Sequence, residues 1–310
     1  MGTSMTVGGI RVELSSTGKI LFPDDKITKA DLDEYYRDVA GLMLPYLKER
    51  PIAMARFPDG ITGERIFQKN VPRYFPSWIS RATVPKQGGS LQHVICDKPA
   101  ALVYLANQAC IEMHVFLSRV GHLDHPDQLV FDLDPPDGEH FDGARRAALA
   151  LRELLEGGLG LTTFVKTTGG KGLHVHLMLD GRAGFDETRE FARQAAGLLA
   201  ARDPELLTLE QRKNSRGDLV YGDVMRNAFA QTVIAPYAVR ARPGAPVAVP
   251  LRWDEVAGTG LAPGEFTLRT IRDRISQLGR DDPWAGLTRR RYSVAKATAQ
   301  LRKLAASDPA

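Results

Sequence analysis

Val130-Phe131-Asp132-Leu133-Asp134-Pro135 reads as the end of a short strand with two carboxylates on it. The strand runs from Leu129 to Leu133 and stops at Pro135 and Pro136. Side chains alternate along a strand, so Asp132 and Asp134 share one face while Phe131 and Leu133 turn to a core. Two carboxylates held that close repel each other unless positive charge stands between them. Hard divalent cations such as magnesium and manganese take oxygen ligands of this kind. A plainer reading makes the pair a strand end whose aspartates cap the following turn.

A third carboxylate favours the metal reading. Asp223, in Leu219-Val220-Tyr221-Gly222-Asp223-Val224, has a strand-like position beside a glycine that permits close approach. Three carboxylates can hold two cations about 3.5–4 Å apart, the spacing used in phosphoryl transfer. Asp218 is the alternative third ligand, but it lies in the polar turn Ser215-Arg216-Gly217-Asp218.

Thr167-Thr168-Gly169-Gly170-Lys171-Gly172 is a second candidate site. Glycines let backbone N–H groups approach phosphate, and a hydroxyl and an ammonium add donors. It is not a Walker A loop, which needs glycine at Val165 and Ser or Thr at Gly172. A glycine-rich turn between strands is the plainer reading. His174 and His176 share a strand face, with no third soft ligand near them in the sequence, which favours packing or substrate contact. His114 could donate to a phosphate, although alone it reads as a structural histidine. His122-Leu123-Asp124-His125 precedes Pro126 and reads as a turn, and no Gly-x-Ser-x-Gly elbow supports a serine hydrolase. Arg212, Lys213, Arg216 and Arg226 flank Asp223; charge runs are usually solvated surface, but beside a metal ligand cations would neutralise a triphosphate.

Elsewhere the pattern is mixed. Thr28 opens a helix with Asp31 in its first turn and Leu32, Tyr35, Tyr36, Val39 and Leu42 on one face, disturbed at its end by Pro45. Arg56 to Trp78 reads as strands and exposed turns. A helix is predicted over 144–156, closed by Gly157 and Gly158. Strands follow at Phe164–Val165 and 173–179, then a helix capped by Asp186 with Phe191, Ala195, Leu198 and Leu199. Strand character returns at 219–224, 233–235 and 237–240, and Thr267 caps a last helix with Leu268, Ile271, Ile275 and Leu278. No boundary is visible, so the expectation is a single compact α+β unit over 1–310, mixed sheets flanked by helices.

The 310 residues are 43% hydrophobic, enough for a large core, and the net charge of +4 suits a polyanionic partner without requiring one. Two cysteines exclude a disulfide framework and a four-cysteine zinc site. No apolar run reaches the roughly 18 residues of a bilayer span, and no signal sequence is evident. The expectation is a soluble, intracellular protein with no membrane partner.

Together these segments resemble the polymerase domain of the bacterial end-joining ligase D family, within the archaeo-eukaryotic primase superfamily. The resemblance covers nearly the whole chain. It includes Lys19-Ile20-Leu21-Phe22-Pro23, Tyr35-Tyr36, Arg50-Pro51, Phe67-Gln68-Lys69-Asn70, Ile111-Glu112-Met113-His114, the Asp132 strand, Gly169-Gly170-Lys171-Gly172-Leu173-His174 and Ala235-Pro236-Tyr237-Ala238-Val239-Arg240. No single segment is specific; their order and spacing are.

The resemblance implies a primase-polymerase fold and a template-directed nucleotidyltransferase that fills gaps at DNA ends and favours ribonucleotides. Asp132, Asp134 and Asp223 match the metal-binding and catalytic carboxylates for two divalent ions, manganese ahead of magnesium. Thr168, Lys171, His114, Arg216 and Arg240 match nucleotide contacts. Phe67 matches an aromatic that stacks on template, Lys69 falls with it among the DNA contacts, and Lys19 and Lys29 match positions that bind a downstream 5′-phosphate. Ala55 departs from relatives that carry lysine there, and Arg226 from relatives with glutamine.

The implied partners are DNA ends and gaps with a 5′-phosphate, NTP or dNTP, a Ku-like end-binding protein and a separate ligase. The implied location is the cytoplasm, at the nucleoid. No Lys-x-Asp-Gly ligase motif occurs, so this chain is not expected to seal nicks; it reads as a free-standing homologue or an excised domain. A related primase-polymerase in short-gap excision repair and a catalytically idle DNA-end-binding module are the competing readings.

Overall fold

In the computed structural model, which describes residues 3–279 and 281–307, the chain builds two compact units, each around its own sheet. The first unit takes 232–248 and 266–276 in addition to everything up to Gly121, and the second takes the rest. The chain passes between the units several times, which explains why no linker is visible in the sequence. The α+β class expected from the mixed pattern holds.

The first unit opens with a hairpin of β1 (Thr3–Val7) and β2 (Ile10–Leu14), then a short pair of β3 (Ile20–Phe22) and β4 (Ile27–Thr28). Thr28 caps α1 (Lys29–Asp38) through a reciprocal pair of hydrogen bonds with Asp31, as its sequence predicts. Helix α1 stops at Val39, before Pro45, which lies inside α2 (Ala40–Leu47). Val39, Met43 and Leu47 are all buried, so the chain turns early to keep them in the core.

The sheet of this unit follows with β5 (Pro51–Arg56), β6 (Ile66–Gln68), β7 (Ser80–Lys86) and β8 (Gly89–Ile95). Then come α3 (Pro99–Asn107) and β9 (Cys110–Phe116).

The second unit contributes β10 (Gln128–Asp134), α4 (Phe141–Arg152), β11 (Thr163–Thr167) and β12 (Leu173–Met178). It continues with α5 (Phe185–Arg202), β13 (Leu207–Thr208) and β14 (Val220–Asp223). After β15 (Thr232–Ile234), in the first unit, come β16 (Pro250–Leu251) and α6 (Trp253–Ala257) of the second. The last helices are α7 (Ile271–Leu278), which begins in the first unit, and α8 (Val294–Ser307) in the second.

The first sheet has the order β15-β9-β5-β8-β7, with β6 also paired to β5. The second has the order β13-β14-β10-β12-β11-β16 and is antiparallel except at β13–β14. Among the described residues no helix is long and apolar enough to cross a membrane.

Several local expectations are corrected. Helix α4 starts earlier than 144 and runs into a π-helical turn, Glu153–Gly158, with Gly160 taking the left-handed backbone expected of Gly157 or Gly158. Helix α5 is preceded by Gly184, whose N–H donates to the Glu187 carboxylate, while Asp186 pairs with Arg189 in the first turn. Residues 237–240 are no strand: Tyr237 has φ of 63°, and only Val239 bridges to Val247. Helix α8, which buries Val294, Ala297 and Leu301, has no counterpart in the sequence reading.

Candidate metal and nucleotide site

Strand register in the second unit sets four polar residues in one line. Lys166 on β11 is the partner of His174 on β12, His174 of Asp132 on β10, and Asp132 of Asp223 on β14. Cross-strand partners share a face, so two carboxylates, an imidazole and an ammonium stand side by side. Asp134 is two residues beyond Asp132 on the same face, opposite Tyr221. The core side of β10 carries Leu129, Phe131 and Leu133, all buried.

Every carboxylate in this line meets positive charge or a hydrogen bond. Arg226, in a short turn after β14, places Nε 3.1 Å from an Asp223 oxygen and 3.5 Å from an Asp132 oxygen. His174 Nε2 is 3.3 Å from Asp132, and Lys171 Nζ is 3.6 Å from Asp134. Burial works to raise the Asp132 carboxyl, but His174, Arg226 and Lys166 bring it below the usual range. Asp223 goes the other way: burial and the neighbouring Asp132 raise it, against Arg226. Burial first, then Lys166, bring His174 down to about 4, so near neutrality its contact with Asp132 is a hydrogen bond from a neutral ring. Among the described residues His174 Nδ1 is buried without a hydrogen-bond partner.

Does this arrangement suit a metal? The donors are carboxylate oxygens, the chemistry that magnesium and manganese require. Among the described residues no three acidic, histidine or cysteine side chains converge on one point. Arg226 supplies the charge that lets Asp132 and Asp223 stand together, and Asp134 is drawn toward Lys171. The pair fits a cation in exchange for the guanidinium. Asp134 stands on the same face with one oxygen 3.6 Å from Lys171 Nζ.

The glycine-rich turn between β11 and β12 packs directly on this strand. A Cβ at Gly172 would come 2.5 Å from the Leu133 carbonyl oxygen, so only glycine allows the approach, and Gly169 has φ of 66°. The Thr168 hydroxyl bonds the Gly172 backbone and closes the turn. Lys171 donates to the Pro136 carbonyl at 2.7 Å. With Asp134, Lys213 and Arg216 it lines a cavity of about 160 Å³. Arg216 lies over the Tyr221 ring, 3.6 Å from its centroid, and donates to the Glu210 and Gln211 carbonyls, which braces the loop.

In the first unit, the predicted nucleotide contacts meet at an acid that the sequence reading did not single out. Glu112 is buried and accepts from Arg240 Nε at 2.8 Å, with His114 Nε2 at 3.1 Å and Arg65 at 3.5 Å. Burial opposes ionisation, but the His114 and Arg240 hydrogen bonds and the Arg240 charge hold its carboxyl well below the usual range. His114 is lowered by burial, and by Arg240 and Arg65, against Glu112. Phe67 packs edge-on to His114 with ring centroids 5.6 Å apart, and Lys69 lines a cavity of about 500 Å³ with Phe67 and Arg73. Glu112 lies two residues before His114 on one strand, the alternation that could have flagged it.

Lys19 and Lys29 are neighbours. The Lys29 N–H donates to the Lys19 carbonyl at 2.8 Å. Lys29 is buried, with Nζ 3.2 Å from Ser15 Oγ, and Lys19 pairs with Asp59 at 2.8 Å.

Residues 28–284 match the family model described as LigD, primase-polymerase domain. The chain is 35% identical over 270 residues to the bifunctional non-homologous end joining protein LigD of Bacillus subtilis, covering 87% of this chain and 43% of the relative. It is 34% identical to the multifunctional LigD of Pseudomonas aeruginosa, covering 92% and 34%. Both relatives are thus more than twice as long as the segment they share. The polymerase domain from Mycobacterium tuberculosis ligase D, solved in complex with DNA, matches with a TM-score of 0.80 and 33% identity over 87% of this chain and 97% of that one.

Proposed function

Because the chain belongs to the LigD primase-polymerase domain family, we propose that it is a template-directed nucleotidyltransferase that fills gaps at DNA ends during double-strand break repair. The observation that carries this reading is the register pairing of Asp132 with Asp223, with Asp134 on the same face of the strand. Asp132, Asp134 and Asp223 hold two divalent cations, manganese or magnesium. Bound there, the cations supply Lewis acidity toward the primer 3′-hydroxyl and the triphosphate.

The chain's own groups do the rest. Lys171, with Arg216, neutralises phosphate charge, and the Thr168 hydroxyl fixes the turn that presents Lys171. His114 and Arg240 contact the incoming nucleotide, and Phe67, with Lys69, meets the template. The 3′-hydroxyl attacks the α-phosphate in line and pyrophosphate leaves. Ribonucleotides serve at least as well as deoxynucleotides. Lys19 and Lys29 take the 5′-phosphate across the gap. The work is done in the cytoplasm at the nucleoid, beside a Ku-like end-binder and a separate ligase.

The test is primer extension on gapped DNA with manganese or magnesium and with each nucleotide type. Asp132→Ala, Asp134→Ala and Asp223→Ala should each reduce addition by roughly a hundredfold or more with DNA affinity intact. Extension by any of the three within about tenfold of wild type would remove that residue from the metal site.

A further inference from the structure

Three strands of the first sheet bring Phe67, Ala55 and Glu112 into one cross-strand row, with Ala55 in the middle as the partner of both. The side chain in the middle ends at Cβ. Arg65, immediately before β6, reaches both flanks of the row. One guanidinium nitrogen is 3.5 Å from Glu112, and the guanidinium carbon is 5.1 Å from the centroid of the Phe67 ring. A group that reaches both flanks of the row lies over Ala55.

The charges around Glu112 do not balance. Two guanidinium groups, of Arg240 and Arg65, face one carboxylate, while burial, Arg240 and Arg65 disfavour a positive charge on the third partner, His114. Arg240 is the closer ion pair and is mostly covered; Arg65 is the looser and is half exposed. The surplus positive charge therefore sits on the accessible member. Phe67 and Glu112 hold that member in place, which limits the rotamer freedom that makes surface arginines weak binders.

The geometry points to Arg65 as a further nucleotide-binding residue, with its guanidinium over Ala55 taking a phosphate of the incoming nucleotide beside His114 and Arg240. This rests on the reading of His114 and Arg240 as nucleotide contacts. It adds that Glu112 is the positioning residue that aims the three side chains.

Steady-state extension on one primer–template, with DNA affinity measured separately, tests this. Arg65→Ala should raise the nucleotide KM roughly tenfold, the worth of one charge-assisted contact, and leave DNA affinity unchanged. Arg65→Lys should recover part of the loss, and the double variant Ala55→Lys with Arg65→Ala should recover more by restoring the cation to the same space. An unchanged KM in Arg65→Ala overturns the proposal. So does a fall in DNA affinity with KM unchanged, which would place Arg65 on the template. If the double variant melts early, Arg65→Ala and Arg65→Lys decide alone. His114→Ala, run in parallel, separates the two levels: a wild-type KM there defeats the reading of His114, whereas Arg65 stands or falls on its own variants.

Discussion

Asp132 and Asp223 are register partners on neighbouring strands, and the Arg226 side chain reaches a carboxylate oxygen of each. A guanidinium there screens the repulsion between two partly buried acids, and it occupies the position that a divalent cation would need. A cation bound there would compete with the arginine for the same oxygens.

Arg226→Gln should therefore lower metal-free stability by roughly 0.5–1 kcal/mol, a modest figure because Arg226 is well exposed. The same change should lower the manganese concentration that half-saturates the protein. Thermal melts across a manganese titration read both effects. A midpoint equal to that of wild type would show that Arg226 does not compete with the ion.

Gly172 supports the carboxylate strand from the adjoining turn. A side chain there meets the Leu133 carbonyl at 2.5 Å, and that carbonyl belongs to the backbone between Asp132 and Asp134. Backbone cannot swing aside as a flexible side chain can. Gly172→Ala should cost about 1–3 kcal/mol and reduce extension, whereas Gly160→Ala, with nothing within 4 Å, should show only backbone strain. Extension by Gly172→Ala at the wild-type rate would mean that the turn and the strand can separate freely.

Legibility in the sequence divides along physical lines. The alternation in Val130–Asp134 and the Thr28 cap are local, so strand β10 and the start of α1 can be read directly. Asp223 is recognisable as a carboxylate on a strand, but not as the partner of Asp132, because register joins residues far apart in the chain. Lys166 is invisible for the same reason: nothing near it says that it ends a line running through His174 to the acids. Glu112 and Arg65 gain meaning only when β5, β6 and β9 align around Ala55. The π turn after α4 and the left-handed Tyr237 are set by tertiary packing that overrides propensity.

Asp33 gives a pH dependence with a definite sign. It is fully buried on α1, one oxygen accepts from Asn107 at 3.0 Å, and the other has no hydrogen-bond partner among the described residues. Burial pushes its carboxyl up to about 7, against the Asn107 hydrogen bond and the charge of Lys29, with Glu34 adding to the rise. An unfolded aspartate titrates near 3.9. The folded protein thus binds the extra proton between those values. The stability from the neutral form is complete below about pH 4 and is lost as pH rises through about 7. Asp33→Asn removes this titration, so its stability relative to wild type should increase steadily from about pH 5 to pH 8. Chemical denaturation at four pH values measures the difference, and a flat difference would place the Asp33 titration elsewhere.

Recognition of a downstream 5′-phosphate gives the last prediction. Lys29 N–H donates to the Lys19 carbonyl, so the two lysines are fixed relative to each other by backbone. Lys29 also starts α1, whose N-terminal end carries a positive dipole. Each ammonium now has a weak hold: Lys19 on the exposed Asp59, and Lys29 on the Ser15 hydroxyl. A dianionic phosphate is a stronger acceptor than either, and each charge-assisted contact should contribute roughly 1.5–3 kcal/mol at low salt. Wild type should bind a phosphorylated gap more tightly than the same gap without the phosphate. The Lys19→Ala, Lys29→Ala double variant should lose that preference while still extending a simple primer, because its changes are remote in sequence from the three carboxylates. Asp59→Asn should sharpen the preference by releasing Lys19. Equal wild-type affinity for the two gaps would leave both lysines with structural roles alone.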